Sequence, residues 1–173
     1  KNALIDLQRD IWGHRSDINV VDPDLCLHLH LKPQEAILSL DGSGGSLHRR
    51  GYRAAMGDAP LKENLAAGLI RLSEWDGEIP LVDPLCGSGT LLIEAATSLL
   101  KFAPGLNRSF LLENWADFDQ SIWEIENHQA KSMRMVKRDL PCIIGCEKDP
   151  FIAEQAQENI ALAGLEKVIK IYN

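Results

Sequence analysis

Residues 81–96 read LVDPLCGSGTLLIEAA: an apolar pair, the acid Asp83, a proline, the glycines Gly87 and Gly89, and an apolar run with helical spacing. A strand that passes through a glycine turn into a helix brings main-chain N–H groups close to a nucleotide-like ligand. A second acid follows a second apolar run at 141–150, PCIIGCEKDP, where Glu147 precedes Asp149-Pro150, a strong helix start. Two acids at the ends of two successive strands, with glycines after the first, suit a ligand that offers positive charge and hydroxyl groups.

The residue types narrow the ligand. A phosphate-binding loop of the G-x-x-x-x-G-K-[ST] kind needs a lysine for phosphate charge, and Gly89 is followed by Thr90 and Leu91. A dinucleotide turn wants G-x-G-x-x-G. Gly87 and Gly89 supply the first two glycines, but Leu92 occupies the third position. Asp83 would also repel a pyrophosphate, so a nicotinamide dinucleotide is weakened though not excluded. S-adenosylmethionine carries an ammonium, a sulfonium and one carboxylate, and no phosphate. Asp83 can accept hydrogen bonds from its ammonium, the glycines let main chain approach its methionine part, and Glu147 can take both ribose hydroxyls. The competing structural roles are a helix cap for Asp83 and an exposed strand end for Glu147.

The elements that must position these groups are legible on both sides. Leu4, Leu7 and Ile11 form a helical stripe over 1–12. LCLHLHL at 25–31 alternates strictly, with Leu25, Leu27, Leu29 and Leu31 on one face and Cys26, His28 and His30 on the other; this predicts a half-buried strand, paired with EAILSLD at 35–41 in a hairpin. His28 and His30 share a face, but with no third ligand evident they read as polar residues on an outer surface, and no metal is expected. GSGGS at 42–46 marks a boundary. Beyond it, a helix begins near Pro60 with Asp58 as its cap and a stripe of Leu61, Leu65, Leu69 and Leu72. From residue 79 onward the order is strand, helix, insertion, strand, helix, strand, which opens a parallel doubly wound sheet. The insertion, 102–140, is the least legible part, with spaced aromatics Trp115, Phe118 and Trp123 that read as packing and a charged helix over 122–138.

The totals fit this picture. The 173 residues are 45% apolar and 25% charged, the usual balance of a globular protein. No apolar run is long enough to span a bilayer, and KNALIDLQRD lacks the pattern of a secretory leader. The four cysteines are scattered and lack zinc-like spacing, which predicts reduced thiols in a cytoplasmic protein. A net charge of −7 argues against nucleic acid as a partner. The local run HRRGYR at 48–53 argues the other way: Arg49, Arg50 and Arg53 can pair with phosphates and Tyr52 can stack on a base. The competing reading is a solvated linker with Tyr52 packed on the domain.

The combined stretch DPLCGSGTLLIEAA resembles the first cofactor motif of THUMP-associated RNA methyltransferases, in particular the bacterial 23S ribosomal RNA guanine-N2 methyltransferases. SLHRRGYR at 46–53, APLKENLAAGLI at 59–70, APGLNR at 103–108 with Trp115, and GCEKDP at 145–150 resemble further segments of the same family, whose second motif usually has Asp where this chain has Glu147. The resemblance covers most of 25–173. It implies an α/β fold: the N-terminal half of a Rossmann-like methyltransferase sheet over 46–173, preceded over 1–45 by a small α+β hairpin segment from an RNA-binding THUMP domain. It implies S-adenosyl-L-methionine as cofactor, held by Asp83, Pro84, Cys86, Gly87, Ser88, Gly89 and Thr90 of the first motif and Glu147, Lys148 and Asp149 of the second. It implies methyl transfer to the exocyclic amine of guanine in ribosomal RNA. The family's Asn/Asp-Pro-Pro-Tyr/Phe motif, which holds the target base, is not in this sequence, so no catalytic residue is assigned here and the expectation is a fragment that should not turn over by itself. An NAD-type oxidoreductase, a non-catalytic RNA-binding module and a DNA-modifying relative are the competing functional classes.

Overall fold

The computed structural model describes residues 2–53, 61–135 and 140–173. They divide into two compact units, one of residues 2–44 with 110–118 and the other of the described residues within 45–109 and 119–173. The division between Gly44 and Gly45 lies inside GSGGS, and residues 110–118 group with the first unit.

In the first unit, helix α1 (Asn2–Trp12) is followed by an antiparallel hairpin, β1 (Cys26–Lys32) and β2 (Glu35–Asp41). The register pairs Cys26 with Asp41 and Lys32 with Glu35, so Lys32-Pro33-Gln34 lies at the turn as expected. The alternation is as read, but the burial is not. Leu27, Leu29 and Leu31 are exposed and α1 buries no residue. No described element covers the leucine face, so the expectation of a half-buried strand is corrected to an exposed one. Beyond the hairpin, the Leu112 N–H donates to the Gly42 carbonyl at 3.0 Å in the 3₁₀ turn Leu111–Asn114, and Gly42 lies against the Trp115 ring. Trp115 therefore packs, as expected, within this unit.

The second unit carries the site. It contains α2 (Glu63–Leu72), β3 (Leu81–Asp83), α3 (Thr90–Leu99), α4 (Gln120–Ser132), β4 (Ile143–Cys146), α5 (Pro150–Leu162) and β5 (Ile169–Tyr172). The strands form a parallel sheet in the order β3-β4-β5. Parallel strands need crossovers long enough to hold a helix, and α3 and α5 occupy them. Asp149 starts α5 by accepting from the Phe151 N–H at 2.9 Å, with Pro150 at the first helical position and Gly164 after the end. Asp119 caps α4 in the same way. The expected cap and start at Asp58 and Pro60 lie outside the described residues. The leucine stripe expected on α2 is corrected: Leu65, Leu69 and Leu72 are exposed, while Glu63, Ala66 and Ile70 are buried.

The core joins Leu92, Ile93 and Ala96 of α3 to Ile143 of β4, Ile169 of β5 and Ile160 of α5, with Leu165 in the loop that follows. One contact organises it. Leu92 has no exposed surface, and it is accommodated because β4 carries a glycine opposite: a Cβ on Gly145 would lie 2.6 Å from Leu92 Cδ1, 2.7 Å from Cys86 Sγ and 2.7 Å from Ile171 Cδ1. A glycine inside a strand marks such a close approach. The dinucleotide pattern gains room with a glycine on the helix; here Leu92 fills that position and the strand gives way instead.

The HRRGYR run also belongs to this unit, and most of it faces inward. Tyr52 is 4% exposed and its hydroxyl donates to Glu94 Oε1 at 3.1 Å. Arg50 Nη2 donates to Glu94 Oε2 at 3.3 Å. Arg53 pairs with Glu63 at 3.0 Å and donates to the Leu61 carbonyl at 2.7 Å and to Thr90 Oγ1 at 2.9 Å. His48 Nδ1 lies 2.8 Å from the other oxygen of Glu63. The RNA-contact expectation is therefore corrected for Arg50, Tyr52 and Arg53: the two arginines pair with two buried carboxylates and the phenol hydrogen-bonds one of them; a carboxylate taken out of water is tolerated only with such partners. Arg49 alone of the four has an exposed side chain. Burial, opposed by Arg50, holds the Glu94 carboxyl above its ordinary range, and burial next to Glu94 and Glu63 pushes the Tyr52 phenol far up, so Tyr52 stays a neutral donor.

Two substitutions test this packing by urea denaturation. Gly145→Ala should cost about 1–3 kcal/mol, because three side chains must move to admit one methyl group. Tyr52→Phe should cost about 1–3 kcal/mol through loss of a donor to a buried carboxylate; a tyrosine held at the surface for base stacking would show no such loss.

Candidate functional site

The register decides where the two acids stand. β3 and β4 pair with Asp83 opposite Gly145, so Asp83 ends one strand and Glu147 follows the end of its neighbour by one residue. Both carboxylates thus lie at the C-terminal edge of a parallel sheet, where open α/β sheets bind their ligands. The turn between β3 and α3 is held to that edge by main chain: the Cys86 N–H donates to the Cys146 carbonyl at 3.0 Å, and the Gly89 N–H to the Cys86 carbonyl at 2.9 Å.

Glycine is required at two points of the turn. Gly87 and Gly89 have φ of +53° and +81°, in the left-handed region that other residues adopt at a cost. A Cβ on Gly87 would meet nothing within 4 Å, so the main chain there faces open space rather than protein. Gly89 caps α3 at its N-terminus, and a Cβ there would touch Ala156 of α5 at 3.5 Å.

The carboxylates are oriented by main-chain donors. Asp83 Oδ1 accepts from the Leu85 N–H at 3.1 Å in a tight turn. Glu147 reaches across the turn: Oε2 accepts from the Gly87 N–H at 3.2 Å and Oε1 from the Asp149 N–H at 3.0 Å. A carboxylate has about four lone-pair sites, so each retains acceptor capacity toward a ligand. Glu147 is itself anchored: its N–H donates to the Tyr172 carbonyl at 3.0 Å, and its carbonyl accepts from Asn173 Nδ2 at 2.9 Å. The Cys86 thiol is pushed up to about 11 by burial first and then by Asp83 and Glu147, so it is a neutral wall of the turn and not a nucleophile.

The remaining expected residues divide by role. Thr90 is buried and its hydroxyl accepts from Arg53; the Ser88 carbonyl accepts from Asn159 Nδ2 at 3.1 Å. Pro84 and Lys148 are exposed at the same edge, and the Asp149 carboxylate is spent on capping α5. Asn159 and Gly145, which hold the turn from beneath, were not anticipated. A glycine in the apolar run CIIGC was the available signal for Gly145; nothing in the local sequence marks Asn159, a buried polar residue on a helix otherwise apolar on that face. The reading of the hairpin's polar face also changes. His28 does have neighbours able to ligate, since Cys26 and, from the opposite strand, Asp41 converge on it.

The chemistry of this donor set fits S-adenosylmethionine: open main chain at Gly87, a carboxylate on each side, and no lysine or arginine within residues 83–90 themselves. Among the described residues, no helix is long and apolar enough to cross a membrane, and all four cysteines are free thiols.

Known proteins are similar to this chain in sequence and in fold. A ribosomal RNA large subunit methyltransferase K/L of Cellvibrio japonicus is 41% identical over 179 residues, 99% of this chain and 24% of its own length. Among solved structures, SMU.472, provisionally described as a methyltransferase and complexed with SAH, superposes with a TM-score of 0.82 at 35% identity, over 98% of this chain and 44% of that one. A Listeria monocytogenes protein described from its sequence as an N6-adenine-specific DNA methylase gives 0.80 at 39% identity, over 85% of this chain and 38% of that one. The chain spans about a quarter to two fifths of the length of the curated relatives it matches. The family model described as UPF0020, RMKL-like, methyltransferase domain, matches residues 50–173. With the turn, the two strand-end acids and the parallel sheet all inside that match, the chain belongs to the RMKL-like methyltransferase-domain family.

Proposed function

We propose that this chain is the cofactor-binding part of a cytoplasmic, S-adenosylmethionine-dependent RNA methyltransferase that acts on N2 of guanine in 23S ribosomal RNA. The observation that carries the cofactor reading is the pair of carboxylates flanking an open glycine turn whose own residues, 83–90, include no lysine or arginine. Asp83 would accept from the ammonium group of the methionine part, and main chain at Gly87-Ser88-Gly89 would line it. Glu147 would accept from the ribose hydroxyls. Pro84, Cys86 and Thr90 shape the turn, and Lys148 and Asp149 flank Glu147. When bound, the cofactor supplies a sulfonium-activated methyl group; the chain's own contribution is to bind and orient it, which is the main demand of a direct transfer. Ribosomal RNA as substrate is supported by the Cellvibrio japonicus relative, and guanine N2 by the resemblance of the first motif. In this reading α1 and the β1–β2 hairpin are the tail of a THUMP domain, and Arg49, the exposed member of the HRRGYR run, contacts RNA phosphate.

Calorimetric titration tests the cofactor. S-adenosylhomocysteine should bind and NAD should not. Asp83→Asn and Glu147→Gln should each weaken binding about 10- to 100-fold, the worth of one charge-assisted hydrogen bond. Binding of NAD alone would overturn the reading. For RNA, Arg49→Ala should weaken binding and reduce the salt slope by about one; an unchanged affinity at low and high salt removes Arg49 from the interface. In the full-length protein, transfer of labelled methyl to adenine in DNA instead of guanine in ribosomal RNA would replace the substrate while keeping the cofactor site.

A further inference from the structure

The open end of the β1–β2 hairpin brings together a thiol, an imidazole and a carboxylate. The register sets Cys26 opposite Asp41, and His28 follows Cys26 on the same face by the two-residue period of a strand. His28 Nε2 lies 3.8 Å from Cys26 Sγ and 3.6 Å from Asp41 Oδ2, and the three donor atoms all fall within 4.8 Å of one another.

These separations are close to those imposed by a tetrahedral ion. With zinc bonds of about 2.3 Å to sulfur and about 2.1 Å to nitrogen and oxygen, tetrahedral angles place S···N about 3.6 Å and N···O about 3.4 Å apart. The two separations from His28 need contract by only a few tenths of an ångström, and Cys26 Sγ and Asp41, which lie within 4.8 Å of one another, approach by rotation of their side chains. The carboxylate is already aimed. Asp41 Oδ1 accepts from the Ser43 N–H at 2.8 Å and from its hydroxyl at 2.5 Å, which leaves Oδ2 toward His28. Carboxylates that bind metals are held by outer hydrogen bonds in this manner. The His28 side chain is 68% exposed, so an ion can enter from solvent and a water can complete its shell.

We propose that Cys26, His28 and Asp41 form a binding site for a zinc-like divalent cation, which clamps the open end of the hairpin. A mixed set of sulfur, nitrogen and oxygen donors selects zinc over magnesium or calcium, which prefer all-oxygen shells of higher coordination. The site is independent of the cofactor turn and of the methyl-transfer reading.

Cobalt(II) is the probe, added to the reduced protein in the presence of a non-chelating phosphine. One equivalent should produce the near-ultraviolet charge-transfer band of a cobalt–thiolate bond and the visible bands of tetrahedral cobalt, and zinc should displace both. Cys26→Ser should abolish the charge-transfer band. His28→Ala, which removes only an exposed side chain, should weaken cobalt binding by about tenfold or more, at least the effect of losing a group that merely supports a metal ligand. Cys142→Ser should leave the spectrum unchanged. Absence of the band in the unaltered protein, its persistence in Cys26→Ser, or its loss in Cys142→Ser would each overturn the proposal.

Discussion

The methyltransferase-like unit depends on a missing methyl group. Gly145 has no Cβ, and the space where one would be is filled by Leu92, Cys86 and Ile171. Through that contact the helix after the glycine turn lies close on β4, the buried faces of α3 and β4 meet, and the turn is drawn against the end of the strand that carries Glu147. Had the room been made on the helix, as in the dinucleotide pattern, α3 would carry a glycine at position 92; with leucine there, the strand must yield, and among the residues of β4 only Gly145 does.

The turn is consequently held from three directions. Cys86 is bound by main chain to Cys146, Ser88 is held from below by Asn159, and Thr90 is reached by Arg53. Glu147 then closes across to the Gly87 N–H. Carboxylates fixed in this way by main-chain donors need little further ordering to meet a partner, which preserves affinity in general.

Buried charge forms a second frame beside the first. Glu63 on α2 and Glu94 on α3 are both taken out of water, and both are answered by the segment 48–53: His48 and Arg53 on one, Arg50 and Tyr52 on the other. A run that reads as a basic surface patch is thereby converted largely into an internal strap. The patch could be counted in the sequence, but its partners lie 10 to 44 positions away along the chain, as with Arg53 to Glu63 and Arg50 to Glu94; a reading of neighbours along the chain cannot tell an arginine that meets phosphate from one that meets a buried glutamate.

The sequence by itself determined the local objects: the glycine turn after Asp83, the capped start of α5 at Asp149-Pro150 and the hairpin alternation, because each follows from residue type and short-range geometry. Tertiary structure decided the pairings. It matched Leu92 to Gly145, buried Ala66 and Ile70 of α2 in place of its leucines, turned Tyr52 inward, and set Asp41 opposite Cys26 beside His28. The physical reason is the same throughout. Backbone conformation answers to a few adjacent residues, whereas volume and charge are balanced across strands and helices brought together from distant parts of the chain.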